Sequence, residues 1–440
     1  MAKRQRRSFA VPIGSLLVAL GILFSGTVLE ATIFPAGAIV GTTRRAPVVA
    51  VCRLLLVFAG AYFLLIRPRV TAVHLAALMP GGALATIVGA VTLQVAYKPP
   101  PILCGWRSLA SPGELNQLGY RGRRISYLPN DYVVLLLGDS QIEGMALPFD
   151  EMPERLLEKS IDSPTQKIKV FSLGTGGYGQ DQELLALQEY FQKYRADLVV
   201  LWQTPANDIW NNLFKTHMGN RNPKPTFWID GAGNLSGPSE TLEQPLGNSP
   251  IVAVALWQRA FGLSWRDKTW ESHLPEPYVP MDHYDGPVRT EWQERWSTNF
   301  GGMRDENLAT EKSHLAGFLK PRSKRLVYGL DLTRALTLRI RGLVNANHAK
   351  LVTFQAYDPA FAAEDDQVYV LNKKYYLVSQ RQFMENWSYV NRDIDTEMVP
   401  IAEKDWRVGP EDGHLNMQAT KQVMRDLAER LKLRVTGQAH

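Results

Sequence analysis

The pattern of hydrophobic and polar positions divides the chain into two parts. The first hundred residues contain three long apolar runs, which extend over about Phe9 to Leu29, Pro47 to Ile66 and Val70 to Tyr97. Each run is long enough to cross a hydrocarbon core of about 30 Å, which takes roughly 20 helical residues. We therefore predict an α-helical transmembrane segment over residues 1–97 with three membrane-spanning helices.

From residue 132 the apolar residues come in short runs that alternate with helical patterns. The runs YVVLLL, IKVFSL, DLVVLWQ and LVTFQAY are typical of buried strands, and the stretches between them have helical spacing. Such alternation predicts an α/β domain with a parallel sheet that helices cover on both faces. The domain is expected over residues 132–440, after a Pro-containing linker or entry segment over 98–131. An insertion is expected at about 209–326, where the alternation stops.

Charge separates the two parts as well. Through Lys98 the chain has ten Lys or Arg residues and one acid, Glu30, a net of +9, so the whole-chain +6 leaves about −3 for the remainder. The basic character thus belongs to the apolar segment, and the domain lacks the positive charge typical of a nucleic-acid binder.

The basic N-terminus and the arginines of "RPR", Arg67 to Arg69, favour the cytoplasmic side, which predicts an extracytoplasmic domain. Arg44 and Arg45 oppose this orientation. A cleaved signal peptide would explain only the first run.

Four short stretches fall where such a sheet presents its functional edge, near the carboxyl ends of its strands. They are Gly138 to Ser140, Gly174 to Gln180, Thr204 to Asp208 and Glu411 to Asn416. Together they contain the parts that acyl transfer needs: a hydroxyl, a base, a group that orients the base, and donors for an oxyanion.

Each part has a candidate residue. Ser140 can attack, His414 can accept its proton, and Asp412 or Glu411 can orient the imidazole. The backbone N–H groups of Ser140 and Gly177 and the side-chain amide of Asn207 can bind the oxyanion, and three neighbouring glycines compete with Gly177: Gly174, Gly176 and Gly179. Taken singly, an Asp-Ser pair after a strand or the Asn207-Asp208 pair is also typical of a helix cap or a turn.

Along the chain, the motifs are GDS after a strand, a glycine turn, xND after a strand, and a C-terminal acidic-x-His segment. These motifs in this order resemble those of the SGNH (GDSL-like) hydrolase superfamily. The resemblance implies a doubly wound α/β/α sandwich, Ser140 as nucleophile, Gly177 and Asn207 as oxyanion partners and His414 as base. Many members have the acid three residues before the histidine, where this chain has Glu411. Asp412 matches instead the Asp-x-His spacing of membrane-associated SGNH-like polysaccharide O-acetyltransferases, and it is favoured here.

A function follows as an expectation. The chain is expected to be a membrane-anchored, multi-pass serine esterase that removes an O-acyl group, such as acetyl, from an extracytoplasmic glycan or lipid. The same residues would serve a polysaccharide O-acetyltransferase, and a non-catalytic glycan-binding envelope protein is a third hypothesis. No cofactor and no metal ion are expected, because the sequence has neither a cysteine cluster nor an HExxH motif. The expected partners are the acylated substrate and the membrane, without nucleic acid.

Overall fold

The structure is a computed structural model, and its described residues form two compact units. The first contains the N-terminal helices, and the second contains the described residues from Arg107 onward. The description covers residues 9–23, 25, 28, 45–66, 70, 87–92, 107–108, 110–161, 166–215, 224–239, 268–289, 308–363, 365–371, 373–409 and 412–435.

Two apolar helices make up most of the first unit as described, α1 (Ala10–Leu23) and α2 (Arg45–Ile66). Within α2, the 18 residues Val49–Ile66 have a mean hydropathy of 2.4 and are long and apolar enough to cross a membrane. The described part of α1 has 14 residues, which is shorter than a membrane span. Most of the predicted third span, Val70 to Tyr97, lies outside the described residues.

Glycines allow α1 and α2 to approach closely. A Cβ atom on Gly60 would lie 2.7 Å from Val18 Cγ2 and 2.8 Å from the carbonyl oxygen of Gly14, and one on Gly21 would lie 2.7 Å from Val57 Cγ2. No side chain fits between the backbones at these points. Small residues at helix contacts are typical of helices that pack in a membrane, because van der Waals contact replaces the hydrophobic effect there.

The second unit is built on a parallel sheet whose described strands lie in the order β2-β1-β3-β6-β9. These strands are β1 (Tyr132–Gly138), β2 (Ile168–Gly174), β3 (Leu198–Trp202), β6 (Lys350–Tyr357) and β9 (Thr396–Pro400). The chain runs from β1 to β2 and then returns to the other side of β1. Such a reversal opens a crevice at the carboxyl ends of β1 and β3, the usual binding place in open α/β sheets.

Alternate residues of β1 face opposite cores, as the two-residue period of a strand requires. Val133, Leu135 and Leu137 belong to one buried cluster, and Val134 and Leu136 belong to the other. Helices cover both faces, so the predicted parallel sheet with two covered faces is confirmed. The helices on the first face are α5 (Gln180–Phe191), α6 (Asp208–Leu213), α8 (Lys324–Ala346) and α10 (Gln380–Val390). Those on the second are α3 (Ser140–Glu143), α4 (Pro153–Ser160) and α11 (Met417–Val435).

Residues 110–131, within the stretch predicted as a linker or entry segment, pack against the sheet and its first core. Leu118, Tyr120 and Ile125 are buried in the first core, and the Asn116 side chain donates a hydrogen bond of 3.0 Å to the carbonyl oxygen of Ser172 in β2. Buried Arg121 donates to the Leu147 carbonyl oxygen at 2.9 Å. Residues 110–131 therefore pack as part of the α/β unit, because apolar side chains spaced along an irregular segment bury as effectively as those of a helix.

Shorter elements lie in the segments that connect the strands of the sheet and before the last helix. The predicted insertion contains the hairpin β4 (Trp228–Ile229) and β5 (Leu235–Ser236), and the helix α7 (Lys268–His273), among its described residues. Between β6 and β9 lie α9 (Pro359–Ala362) and a second hairpin, β7 (Gln367–Leu371) and β8 (Lys374–Val378). A third hairpin, β10 (Arg407–Gly409) and β11 (Asp412–Leu415), precedes α11.

Candidate active site

Ser140 begins the short helix α3 directly beyond the end of β1, and it is half-buried. The residue that caps this helix is Asp139, whose carboxylate accepts a hydrogen bond of 3.0 Å from the backbone N–H of Gln141. In this Asp-Ser pair, the aspartate therefore caps the N-terminus of α3. The serine hydroxyl is therefore not the capping group, and it stands at the edge of the sheet where ligands bind in this architecture.

The glycine loop after β2 is held by Glu143, the last residue of α3. Its carboxylate accepts a hydrogen bond of 2.7 Å from the N–H of Gly176 and one of 3.1 Å from Thr175 Oγ1. Gly177, the next residue, has φ +81°, a left-handed conformation that favours glycine. Helix α3 therefore fixes the loop through one side chain.

Two further glycines of this loop are required by packing. A Cβ atom on Gly174 would lie 2.7 Å from Ile142 Cγ2, and one on Gly179 would lie 2.6 Å from Asn212 Oδ1. Gly174 also pairs with Gly138 across the two strands, so α3 lies directly on the end of the sheet. The space at both positions is filled by neighbouring side chains.

Asn207 precedes α6 at the carboxyl end of β3 and is buried. Its side-chain amide donates a hydrogen bond of 2.9 Å to Asp139 Oδ2. Burial raises the pKa of Asp139, and the hydrogen bonds from Asn207 and Gln141 oppose this effect. One carboxylate thus caps the helix of Ser140 and orients the amide of Asn207, whose second N–H remains available to a ligand.

His414 lies on β11 and contacts Asp412 through its side chain. The ring Nδ1 is hydrogen-bonded to Asp412 Oδ1, which also accepts the backbone N–H of His414 at 3.0 Å. Partial burial raises the pKa of Asp412, but these two hydrogen bonds and the charge of His414 together outweigh burial and hold the pKa below its ordinary value. A carboxylate bound to Nδ1 leaves Nε2 as the basic nitrogen of a neutral imidazole. Glu411 lies outside the described residues.

The hairpin that contains His414 is tied to α3, the helix that Ser140 begins. The backbone N–H of Leu415 donates a hydrogen bond of 3.3 Å to the Gln141 side-chain oxygen. Asn416 directly precedes α11, and its side-chain oxygen accepts the N–H of Ala419 at 2.9 Å. The charge of His414 also acts on Asp139, whose pKa it lowers. Ser140, Asn207, Asp412 and His414 are thereby brought to one edge of the sheet.

A cavity of about 210 Å³ opens beside these residues. It touches Gln141, which follows Ser140, then Ala206, which precedes Asn207, and both chain neighbours of His414, Gly413 and Leu415. Its walls are mostly aromatic and apolar, with side chains from β3, β9, α10 and the segments before α8 and β10. The main contributors are Trp202, Phe318, Phe383, Met384, Met398 and Trp406.

Hydrogen bonds make the polar part of the cavity rigid. Gln203 and Gln355 line it, and the Gln355 amide donates to Gln203 Oε1 at 2.8 Å, an oxygen that also accepts from Asn391 at 2.8 Å. His314 lines it as well. Burial, with a smaller effect of His414, lowers the pKa of His314 to about 3, so this imidazole is neutral at physiological pH. The cavity is therefore preformed and uncharged in this part.

Buried carboxyl groups lie beneath the site. Burial and the charges of Asp208 and Asp139 raise the pKa of Glu183 well above its ordinary value. Burial also raises the pKa of Asp208, which accepts hydrogen bonds from the Gln180 side chain at 2.6 Å and from the N–H of Thr204 at 2.9 Å. The amphipathic pattern of α5 does not indicate this arrangement, because the whole first turn of the helix is buried.

A stability prediction arises from the buried ion pair next to this cluster. Lys224 and Asp181 are both fully buried, and their side chains contact each other directly. We expect Lys224→Met to lower the free energy of unfolding by about 3 kcal/mol, because the Asp181 carboxylate loses its cation in the interior. Thermal unfolding of the purified chain in detergent measures the change.

The double variant Lys224→Met/Asp181→Leu is the matched control. Removal of both charges leaves no unpaired ion, so it should recover most of the lost stability. A double variant that is less stable than Lys224→Met would contradict the role of the pair.

Sequence reasoning missed several of these residues. Asp139 is the middle residue of the GDS motif, but nothing in the sequence reveals that it binds Asn207. His314 lies in the predicted insertion, far from any motif. Gln141 differs from the hydrophobic or aromatic residue frequent at this position in the family that the sequence resembles, but the sequence does not indicate its hydrogen bond with Leu415. No group of three or more His, Cys, Asp or Glu side chains that could hold a metal ion occurs within the described part of the chain.

Comparisons with known proteins identify no family for this chain. No protein-family model matches the sequence, and no curated protein matches it. A solved structure of a proposed arylesterase from Agrobacterium tumefaciens str. C58 has 12% identity and a TM-score of 0.31, over 68% of this chain and 98% of its own. Another solved structure has 10% identity and a TM-score of 0.31, over 70% of this chain and 99% of its own. Function therefore has to be argued from the site.

Proposed function

We propose that the chain is a membrane-anchored serine esterase of the SGNH type, which removes an O-acyl group from an extracytoplasmic glycan or lipid. The observation that carries the proposal is the hydrogen-bonded pair of Asp412 and His414, tied to the helix of Ser140 by the Leu415 to Gln141 hydrogen bond. Nucleophile, base and orienting acid are the three parts that acyl transfer through a serine requires.

In the first half of the reaction, Ser140 Oγ attacks the ester carbonyl carbon while His414 Nε2 takes its proton. The carbonyl oxygen becomes an oxyanion, and its collapse expels the alcohol, which receives the proton from His414. In the second half, water attacks the acyl-serine with His414 again as base, and Ser140 leaves as the protonated alcohol. Asp412 keeps its negative charge throughout and stabilises the imidazolium.

The oxyanion is proposed to bind the N–H groups of Ser140 and Gly177 and the amide of Asn207. Two features support Gly177 over Gly176. The N–H of Gly176 already binds Glu143 at 2.7 Å. Gly177 itself has the positive φ that turns the chain at this point. Donors fixed in advance by Glu143 and Asp139 need no rearrangement when the charge forms.

The membrane role rests on the N-terminal residues. The apolar stretch Val49–Ile66 and the glycine contacts between α1 and α2 support an anchor in the bilayer. We propose three spans within residues 1–97, with the α/β domain outside the cytoplasm, from the distribution of Lys and Arg. Attachment to a membrane surface would keep the site close to lipid or cell-surface glycan.

A labelling experiment tests the proposal. The full chain, purified in detergent, is treated with a fluorophosphonate probe, and p-nitrophenyl acetate turnover is followed with and without glycan acceptors. Ser140 labelling with acceptor-independent release supports the esterase. Release that depends on an acceptor would instead identify an O-acetyltransferase with the same residues. No labelling of folded protein and no turnover would overturn the enzymatic proposal and favour a glycan-binding protein.

Gln141 gives a prediction for a positioning residue. Gln141→Met removes the oxygen that accepts the Leu415 N–H and keeps the volume, so the hairpin of His414 is held less firmly. We expect kcat to fall about tenfold for acetate and for longer esters alike, because small misplacements of a base are costly. Steady-state kinetics measure this loss.

Gln141→Glu retains an acceptor oxygen and is the matched variant. It should recover part of kcat relative to Gln141→Met, whereas a purely structural or binding role would change stability or KM in both variants. Equal kcat values for Gln141→Met and the unmodified chain would show that this hydrogen bond does not position the base.

A further inference from the structure

The cavity beside the candidate site is larger and more apolar than an acetyl group needs. Its volume is about 210 Å³, and Trp202, Met384, Met398 and Trp406 contribute to its walls. For comparison, an apolar cavity of about 150 Å³ holds a benzene molecule. A group of roughly six to eight carbon atoms would therefore fill the space, whereas acetyl would leave most of it without contacts.

The walls come from elements that are fixed independently of any ligand. The rings of Phe318 and Phe383 stack with centroids 3.8 Å apart and planes at 9°. Trp406 is held by a hydrogen bond of 3.1 Å from its Nε1 to Asp358 Oδ2. The cavity is thus part of the packed fold, and an apolar group that enters it releases water without the cost of ordering side chains.

The location of the cavity connects it with the reaction. Its lining includes Gln141, Ala206, Gly413 and Leu415, which are chain neighbours of Ser140, Asn207 and His414. An ester at Ser140 can therefore extend one of its two arms into this space. The His314 imidazole and the hydrogen-bonded Gln203 and Gln355 side chains present no charge in their part of the cavity. Asp358 and Arg407 line another part, where both contact Trp406.

From this geometry we propose that the substrate is an ester with an apolar arm of about six to eight carbon atoms, alkyl or aryl, held in the cavity. The inference rests on the esterase proposed above and names its substrate class. Acetyl esters of sugars without such an arm are then poor substrates.

Two series of esters test the inference on the full chain in detergent. The first varies the acyl group from acetate to octanoate with p-nitrophenol as the alcohol, and the second varies the alcohol of acetate esters from ethanol to hexanol. Each buried methylene should raise kcat/KM roughly fourfold, so that six-carbon arms exceed two-carbon arms by about 10² in one series. The series that responds identifies the arm. A maximum at two carbons in both series would overturn the inference.

Two variants change the cavity in opposite directions. Ala362→Phe adds a ring at the lining, so the ratio of six-carbon to two-carbon kcat/KM should fall about tenfold. Met384→Ala enlarges the space, so the optimum should move to a longer chain. Met145→Ala, at an exposed methionine outside the lining, is the matched control and should leave the ratio unchanged. Unchanged ratios in both cavity variants would overturn the assignment.

Failure of the inference can be distinguished from failure of the esterase proposal. Short-chain turnover with Ser140 labelling but no chain-length response rejects only the cavity assignment. If neither labelling nor turnover occurs, calorimetric titration with hexanol and with ethanol still examines the cavity. Hexanol binding that Ala362→Phe weakens supports an apolar ligand site, and equal weak binding of both alcohols rejects it.

Discussion

Ser140→Ala should reduce ester turnover by at least about 10⁴-fold, because the acyl-enzyme route disappears and only the oxyanion donors and substrate binding remain. A loss of turnover in this variant can be assigned to the hydroxyl, because the substitution leaves the cap of helix α3 in place. Asp139, and not the serine, accepts the Gln141 N–H. The measurement is kcat with the best ester of the two series, together with fluorophosphonate labelling.

Ser111→Ala is the matched control for this prediction. Ser111 is exposed, and its side chain makes no capping hydrogen bond at the turn that it begins. It should retain full activity and full labelling. If Ser140→Ala kept more than a tenth of the activity while its thermal unfolding matched the unmodified chain, another residue would have to be the nucleophile.

The second large effect is expected at Asp412. Its carboxylate binds Nδ1 of His414 and so holds the tautomer in which Nε2 can accept a proton. Asp412→Asn should lower kcat by roughly 10³- to 10⁴-fold with a small change in KM, because the imidazole loses that tautomer and the stabilisation of its charged form. Asp412→Ala should lose a similar amount.

Glu411→Ala is the comparison that decides between the two acids. It should lose less than about tenfold, since Asp412 alone would still orient the histidine. Equal losses in Glu411→Ala and Asp412→Ala, or a larger loss at Glu411, would be incompatible with Asp412 as the orienting acid. Circular dichroism spectra of both variants are compared with that of the unmodified chain to test for a folding defect.

The covered parallel sheet could be predicted because its information is local. β1 and β3 are continuous apolar runs, and β2 and β6 are mostly apolar, a composition typical of strands buried on both faces. The fifth strand, β9, was missed. It is short, and its Glu397 forms ion pairs with Arg430 and Arg434 of α11 instead of packing in a core. Because this edge strand of the sheet has polar residues, its sequence lacks the apolar pattern that predicts a buried strand.

The burial of the predicted linker or entry segment was missed for a related reason. Residues 110–131 have no helical or strand period, and irregular segments are read as connections on composition alone. Their burial depends on partners such as Ser172 and Leu147 in other elements. Likewise, the buried start of α5 is polar, and only its neighbours Lys224 and Asn212 explain why Asp181 and Gln180 tolerate burial.

By itself, the sequence determined the element order, the apolar N-terminal segment and the identity of the candidate residues at strand ends, because periodicity and motif spacing are properties of the chain. The tertiary structure alone decided that Asp139 binds Asn207, that Gln141 ties the hairpin of His414 to α3, and that aromatic residues from distant segments enclose one cavity. These contacts join residues tens to hundreds of positions apart. Their geometry follows from how the layers pack, which no local pattern encodes.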